Sequence, residues 1–146
     1  MRPRVLILNG PNLGRLGSRE PDVYGRLDYQ ALVSRCVDFA DGLGFEAEVR
    51  QTDSEETLLN WLLEADQAGT PVVLNPAAFT HYSLALGEAC AELTVPLIEV
   101  HLSNPHSREP FRARSVVSRH ALGTIAGFGV GSYLMALTAL RDRLQA

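Results

Sequence analysis

The sequence VLILNGPNLGRLGSREPDVYG spans residues 5–25 and begins as a β-strand. Residues 5–8 form an unbroken apolar run, which is typical of a strand covered on both faces in a parallel sheet. The run ends at Asn9, and the segment that follows is rich in glycine and proline. Because glycine and proline at this density favour neither strand nor helix, we expect a mobile surface loop that carries function.

Strand and helix patterns alternate along the rest of the chain. Further strands are predicted at residues 47–51, 71–74, 97–101 and 123–127. Asp28 is expected to cap the first helix, and Thr52 or Asp53 the second, which ends at Gly69. Thr80 or Ser83 is expected to open the third helix, and helical apolar spacing returns from Tyr133 to Leu144. This alternation indicates an α/β fold, a flavodoxin-like, doubly wound parallel sheet of five strands in a single domain over residues 1–146. The order 2-1-3-4-5 is expected, because it leaves the polar second strand at an edge.

The basic residues of the chain restrict its chemistry. All 13 are arginine, and lysine is absent, which excludes a Schiff base, pyridoxal phosphate attachment and a Walker-type phosphate lysine. The net charge of -4 argues against nucleic acid as a partner. The arginines nevertheless cluster in two loops, with Arg15, Arg19 and Arg26 in the first and Arg108, Arg112 and Arg114 in a later one. A small anionic ligand would explain both clusters; a solvated arginine surface is the alternative.

Several other features are ordinary for a cytoplasmic protein. No apolar run approaches the ~20 residues of a membrane helix, and the N-terminus leads directly into a strand, so we expect neither a membrane span nor a signal peptide. Cys36 and Cys90 lie in helical apolar patterns without C-x-x-C spacing, which indicates buried, reduced thiols. The histidines lack the spacing of zinc ligands, so no metal site is expected.

The candidate site lies beyond the carboxyl ends of strands one, three and four, where such sheets bind ligands. The polar side chains that follow these strands include Asn12, Asn75, His81 and His101. Glu99 points to the same side of its strand as His101 and is placed to orient the imidazole. Simpler interpretations exist for most of them: Asn75 as a turn former, the histidines as hydrogen-bonded residues of the interior, and Glu99 as an inward polar residue at a strand end.

Tyr24 lies among the arginines of the first loop and is a candidate base. A phenol has a pKa of about 10, so a base that works near pH 7 requires about 4 kcal/mol of phenolate stabilisation. Arg19, together with Arg15 or Arg108, would supply opposite charge beside the phenolate. An ordinary surface tyrosine beside an arginine is the alternative.

Three motifs make the chain resemble the type II 3-dehydroquinate dehydratases of the shikimate and quinate pathways. They are NGPNLGRLG from residue 9, REPDVYG from residue 19 and IEVHLSNPHSREPFR from residue 98. The resemblance extends from residue 6 to about residue 140. It implies a hydro-lyase that eliminates water from 3-dehydroquinate through an enolate, in the anti sense, to give 3-dehydroshikimate. It also implies that no metal or organic cofactor takes part, because the ketone of the substrate is the electron sink.

The resemblance assigns the central steps to five residues. Tyr24 matches the tyrosine that removes a proton from carbon 2, and Arg19 matches the arginine that keeps it ionised. Asn12 matches the asparagine that holds a water against the enolate oxygen. His101, oriented by Glu99, matches the acid that protonates the leaving hydroxyl of carbon 1.

Further matching residues would bind the substrate. Asn75 and the backbone amides of Leu102 and Ser103 match a carboxylate-binding cradle, while His81 and Arg112 match groups that hold ring hydroxyls. Glu88 matches an aspartate that reaches into the site of a neighbouring subunit. The resemblance therefore implies a homo-oligomer, a dodecamer built from trimers.

The chain departs from the family pattern near its third helix. Ala77 and Ala78 replace a glycine pair, Tyr82 replaces a threonine, and Gly87-Glu88 replaces Arg-Asp. Residues 130–133 also differ from the usual Ile-Gln-Gly-Tyr. The longer Glu88 side chain changes the reach to a substrate hydroxyl, so we expect activity with a raised KM.

Two other functions remain open from the sequence. A catalytically weak relative that binds a cyclitol-like acid, or serves assembly, would account for Tyr82 and Glu88. A flavodoxin or receiver-type domain is disfavoured, because no phosphate-binding loop follows strand one and Asn75 replaces the expected aspartate after strand three.

Overall fold

The computed structural model of the chain describes residues 2–17 and 27–145 and contains one parallel sheet. Its strands are β1 (Arg4–Asn9), β2 (Glu46–Gln51), β3 (Val72–Asn75), β4 (Leu97–His101) and β5 (Gly123–Ala126). They pair in the order β2-β1-β3-β4-β5, and every pair is parallel. The predicted flavodoxin-like order is therefore confirmed.

Helices cover both faces of this sheet. They are α1 (Tyr29–Gly42), α2 (Glu55–Ala68), α3 (Leu84–Ala91) and α4 (Val130–Gln145). Helices α1 and α4 pack on one face, against Val5 and Ile7, while α2 and α3 pack on the other, against Leu6 and Leu8. Successive side chains of a strand point to opposite faces, so the unbroken apolar run of β1 supplies both cores.

The helix starts follow the capping residues, with one correction. Asp28 caps α1 and Ser83 caps α3, both within the predicted sets. The predicted cap of α2 at Thr52 or Asp53 is wrong, because Ser54 accepts the hydrogen bond from the Thr57 amide at 3.2 Å. The two earlier side chains have other partners: the Thr52 hydroxyl accepts from the Ser54 amide, and Asp53 accepts from a loop amide after β1.

The two edges of the sheet differ. The β2 edge is polar as predicted, and Arg50 bonds Glu48 at 2.6 Å and Glu64 at 2.8 Å. The β5 edge, where the sequence predicts a strand over residues 123–127, is exposed at Gly123 and Thr124. The reason is that β5 is the last strand of the sheet, so its first residues lack a neighbour on one side.

Both cysteines are buried and unpaired, as the sequence predicts. Burial raises the pKa of the Cys36 and Cys90 thiols to about 12, so both stay protonated. None of the helices within the described residues has the length and apolar character needed to cross a membrane.

Candidate active site

A cavity opens beyond the carboxyl ends of β1, β3 and β4, where the topology predicts a ligand site. It holds about 690 Å3 of empty space, including open solvent at its mouth. The predicted site residues that line it are Asn12, Asn75, His81, His101, Leu102, Ser103 and Arg112. Tyr24 and Arg19 lie outside the described residues.

Two chain segments whose neighbouring residues line the cavity approach each other closely. The Gly10 amide donates to the Asn75 carbonyl at 2.8 Å, and a Cβ at Gly10 would lie only 2.5 Å from the Pro76 carbonyl oxygen. Real Cβ atoms do not come that close to backbone, so this contact requires glycine. Asn75 and the loop after β1 are thereby held together.

The backbone after β1 turns sharply to bring Asn12 to the cavity wall. Asn12 has a left-handed backbone, with φ of 69°, which asparagine tolerates better than most residues. Its amide donates to Asp53 Oδ1 at 2.8 Å, and Gln51 Nε2 donates to the same oxygen at 3.0 Å. These two bonds lower the pKa of Asp53, so the carboxylate that holds this turn stays ionised.

His101 and Glu99 form a buried pair at the end of β4. His101 Nε2 and Glu99 Oε2 lie 2.5 Å apart, and the exposed fractions are 9% for His101 and 1% for Glu99. Because the two residues are two apart on one strand, their side chains share a face. The orientation predicted for Glu99 is therefore present in the geometry.

Two serines that the sequence did not single out complete the bonding of Glu99. Ser118 donates to Glu99 Oε1 at 2.7 Å, and Ser115 lies 3.0 and 3.1 Å from the two carboxylate oxygens. The Ser115 oxygen also accepts from the amides of Val117 and Ser118, so its hydroxyl proton is left to point at Glu99. The three-residue spacing of the serines is the signal that could have found them.

These donors keep Glu99 ionised. Burial alone raises the pKa of Glu99, but the hydrogen bonds from His101, Ser118 and Ser115, with the nearby charge of His101, outweigh it and lower the pKa. A carboxylate accepts hydrogen bonds and cannot donate, so the facing nitrogen of His101 carries a proton. The remainder of the His101 ring is available to a ligand in the cavity, which His101 lines.

His81 is held as a neutral ring. Its Nδ1 lies 2.7 Å from the Arg114 carbonyl oxygen, which can only accept, so Nδ1 carries the proton and Nε2 is left as an acceptor. Burial lowers the pKa of His81, and the charges of His101 and Arg112 lower it further, although the bond to Arg114 opposes this. A neutral imidazole acceptor suits a ligand hydroxyl.

Basic groups lie beside these residues. Arg112 and Arg108 line the cavity, and Arg108 donates to the Ser103 hydroxyl at 3.3 Å. The Arg112 guanidinium stacks 4.8 Å from the centroid of the Phe111 ring. Sequence reasoning assigned Arg108 only an optional role beside Tyr24. Its position in the cavity wall favours an anionic ligand.

Glu88 is not brought to this cavity. It is exposed on α3 and lines a separate surface groove together with Gly87, Arg114 and Arg119. This position leaves its expected role in a neighbouring subunit as a prediction. Among the described residues, no three histidine, cysteine, aspartate or glutamate side chains are grouped to hold a metal ion, and the absence of a cofactor also stays a prediction.

Asn9 and Tyr133 are buried polar residues behind the cavity that sequence reasoning did not assign to the site. Tyr133 lies 2.6 Å from Asn9 Oδ1 and 2.9 Å from Asn75 Nδ2. Its place in the apolar spacing of α4 predicts burial, and a buried tyrosine hydroxyl usually has a partner. The sequence contains no signal for which partner it has.

Known proteins resemble this chain over nearly its whole length. Residues 3–141 match the family described as dehydroquinase class II. A 3-dehydroquinate dehydratase of Salinispora arenicola is 57% identical over 140 residues, covering 96% of this chain and 98% of that protein. One of Mycobacterium avium is 53% identical over 139 residues, covering 95% and 97%. The crystal structure of the type II dehydroquinase from Propionibacterium acnes superposes with a TM-score of 0.95 at 50% identity, covering 97% of this chain and 98% of that one.

Proposed function

This chain belongs to the class II dehydroquinase family, and from this premise we propose that it dehydrates 3-dehydroquinate to 3-dehydroshikimate. The observation that carries the proposal is the buried pair of Glu99 and His101, 2.5 Å apart, at a cavity with asparagine and arginine in its walls. Such a pair supplies a proton donor, and the walls suit an anionic, hydroxylated substrate.

The substrate carboxylate binds at Asn75 and the backbone amides of Leu102 and Ser103. Support comes from the bonding of Asn75, whose Oδ1 already accepts from the Ala77 amide at 3.1 Å. The side chain therefore meets a ligand through its N–H, which a carboxylate accepts. His81 and Arg112 hold ring hydroxyls, with the neutral His81 ring as an acceptor.

The reaction begins at carbon 2, beside the ketone. Tyr24, ionised by Arg19, removes a proton from this carbon, and the electrons pass to the ketone oxygen as an enolate. Asn12 holds a water that donates to this oxygen and stabilises the developing charge. Electrons then return from the enolate to form the double bond between carbons 1 and 2, which expels the hydroxyl of carbon 1.

His101 supplies the proton for this leaving group. The hydroxyl leaves as water once it is protonated, and the substrate ketone needs no external electron acceptor. Glu99 stays ionised behind the ring and orients the imidazole for the transfer. Removal of a proton by Tyr24 on one face and protonation by His101 on the other give anti elimination.

Assembly and location form a second level of the proposal. We propose a cytoplasmic homo-oligomer, a dodecamer built from trimers, in which residues 1–146 of each subunit form a single domain and Glu88 completes a neighbouring site. Support comes from Glu88 lying outside the cavity of its own chain, and from the 62% exposure of Tyr82 and 70% exposure of Leu84 beside it. Analytical ultracentrifugation tests this; sedimentation as a monomer would contradict it.

The activity is tested by following enone absorbance as the purified protein acts on 3-dehydroquinate, with Tyr24→Phe as the parallel variant. We expect turnover by the unsubstituted protein and its loss in Tyr24→Phe. Turnover that persists in the variant would keep the reaction and assign the base elsewhere. No turnover by the unsubstituted protein would overturn the proposal.

A further inference from the structure

Tyr133 joins two asparagines at the carboxyl ends of the central strands. The side chain is fully buried on α4, and its hydroxyl lies between Asn9 at the end of β1 and Asn75 at the end of β3. Tyr133 does not line the cavity and has no part in the reaction steps above. Its hydroxyl therefore acts on the cavity only through the side chains that it bonds.

The direction of each hydrogen bond in this chain of groups is determined. Asn9 Nδ2 donates to the Arg50 carbonyl at 3.2 Å, and because a carbonyl can only accept, Asn9 Oδ1 faces Tyr133. The phenol proton therefore goes to Asn9 Oδ1, across 2.6 Å. The phenol oxygen is then an acceptor for Asn75 Nδ2, across 2.9 Å.

The amide of Asn75 is consequently fixed from both sides. Tyr133 accepts from its nitrogen, and the Ala77 amide donates to its oxygen at 3.1 Å. A side-chain amide nitrogen carries two hydrogens, and the bonds among the described residues use one of them. Since Asn75 lines the cavity, the group that it offers a ligand there is an N–H donor.

We propose that Tyr133 is a positioning residue that fixes the Asn75 side chain as a donor, so that the cavity selects a carboxylate over the corresponding neutral amide. The proposal rests on the proposed function in placing the ligand carboxylate at Asn75. A carboxylate offers only acceptors, whereas a primary amide offers an N–H that would face the N–H of Asn75. A rotated Asn75 would present its oxygen, which repels a carboxylate and accepts from an amide.

The phenol keeps this arrangement at any working pH. Burial raises the pKa of Tyr133 far above its usual range, and Cys36 and Tyr29, which face it, raise it further, while the bond from Asn75 opposes this. Tyr133 therefore remains protonated and continues to donate to Asn9. The selection for a carboxylate therefore does not depend on a change in the protonation of Tyr133.

The test compares the binding of quinic acid, as its carboxylate, with that of its primary amide by isothermal titration calorimetry. In Tyr133→Phe we expect carboxylate affinity to fall about 10-fold and amide affinity to change by less than about 3-fold, as a lost charge-assisted hydrogen bond would give. In turnover of 3-dehydroquinate, KM should rise with kcat nearly unchanged, because the lost contact is made in ground and transition states alike.

Tyr29→Phe is the matched control. Tyr29 also interacts with Asn9, but the hydrogen bonds of the Asn75 side chain among the described residues are with Tyr133 and Ala77, so both affinities should stay as in the unsubstituted protein. Thermal melting is recorded for both variants, because each loses a hydroxyl. A folded Tyr133→Phe with an unchanged carboxylate-to-amide ratio would reduce Tyr133 to a structural role and overturn the proposal.

A second measurement uses the unsubstituted protein and is independent of the stability of the variant. Titration with quinic acid, followed by NMR of the Asn75 side-chain amide, should shift one Hδ2 proton strongly and leave the one bonded to Tyr133 little changed. Equal shifts of both, or none, would overturn the proposal. If the protein binds the carboxylate selectively yet does not turn over 3-dehydroquinate, the proposed function fails while the role of Tyr133 stands.

Discussion

At the scale of single residues, the charge of Glu99 is set by neighbours that do not touch the cavity. Ser118 donates to it at 2.7 Å, and the carboxylate is buried. In Ser118→Ala the pKa of Glu99 should rise, so the carboxylate protonates at a higher pH and no longer supports His101. We expect the acidic limb of the kcat/KM profile to move to higher pH and kcat at neutral pH to fall about 3- to 10-fold, as loss of one bond to a charged group would give.

Thr124→Val controls for the loss of a hydroxyl in the same cluster. Thr124 is paired with Glu99 across the β4–β5 ladder, but its hydroxyl donates to Ser118 at 3.3 Å and not to the Glu99 carboxylate, so the acidic limb of Thr124→Val should stay near that of the unsubstituted protein. The pH profile separates the effect on charge from a general loss of stability. An acidic limb that is the same in all three proteins would mean that Ser118 does not control the ionisation of Glu99.

Ala77 has a backbone conformation that favours glycine. Its φ is 52°, in the left-handed region, and it follows the strand that carries Asn75. We expect Ala77→Gly to raise the free energy of unfolding by about 0.5–1 kcal/mol, because relief of ~1–2 kcal/mol of strain exceeds the added entropy of the unfolded chain. Urea denaturation measures the change.

Ala78→Gly is the matched control for this strain. Ala78 also lines the cavity but has no positive φ, so glycine there should lower the free energy of unfolding by about 0.5–1 kcal/mol. Opposite signs for adjacent alanines would assign the effect to backbone conformation. Destabilisation by both substitutions would contradict the strain at Ala77.

At the scale of elements, the sequence predicted the sheet because its strands carry unambiguous patterns. The run at residues 5–8 required helices on both faces, and both cores are present. The start of α2 was misplaced because Thr52, Asp53 and Ser54 are all good caps, and tertiary bonds, including the one from Asn12 to Asp53, decide among them. Local propensity cannot rank side chains that compete for distant partners.

The candidate site was likewise predictable from local patterns but not in its tertiary hydrogen bonds. Glu99 and His101 were paired from their spacing on one strand, and the cavity lies at the predicted switch point. Tyr133 was predicted only as part of the apolar spacing of the last helix, because helical spacing shows which face a residue occupies and not which distant amide its hydroxyl meets. Bonds between residues 58 apart along the chain require the fold itself.

Gly10 tests how closely two elements must approach at the site. In Gly10→Ala the new Cβ would lie 2.5 Å from the Pro76 carbonyl oxygen, which is backbone and cannot move aside alone. The ends of β1 and β3 must separate, so we expect a loss of about 1–3 kcal/mol in the free energy of unfolding, typical of overpacking, and a raised KM. Gly42→Ala, with nothing within 4 Å of its Cβ, should be neutral or stabilising. Equal effects of the two would contradict the close approach.

At the scale of the whole molecule, the cavity of one chain is well formed, yet one predicted substrate contact lies outside it. Glu88 projects from α3 beside Gly87, whose missing side chain lets α3 approach Val116, with a hypothetical Cβ only 3.0 Å from the Val116 carbonyl oxygen. The position of Glu88 therefore depends on the contact of α3 with Val116, which lies between Ser115 and Ser118, the two serines that bond Glu99. Residues 115–118 therefore both contact α3 and support Glu99.

Mixed oligomers provide the test of a contribution by Glu88 to a neighbouring subunit. Alone, Glu88→Ala should lose about 10- to 100-fold in kcat/KM through one lost charged hydrogen bond, and His101→Ala should lose about 100-fold or more through the lost acid. The two variants are then co-expressed in equal amounts with distinguishable tags. A working site needs His101 from one subunit and Glu88 from its neighbour in a cyclic trimer, and half of the subunits carry each residue. The mixture should therefore recover about a quarter of the unsubstituted kcat/KM. Isolated mixed oligomers that show only the averaged activity of the two variants would mean that Glu88 acts within its own subunit or not at all.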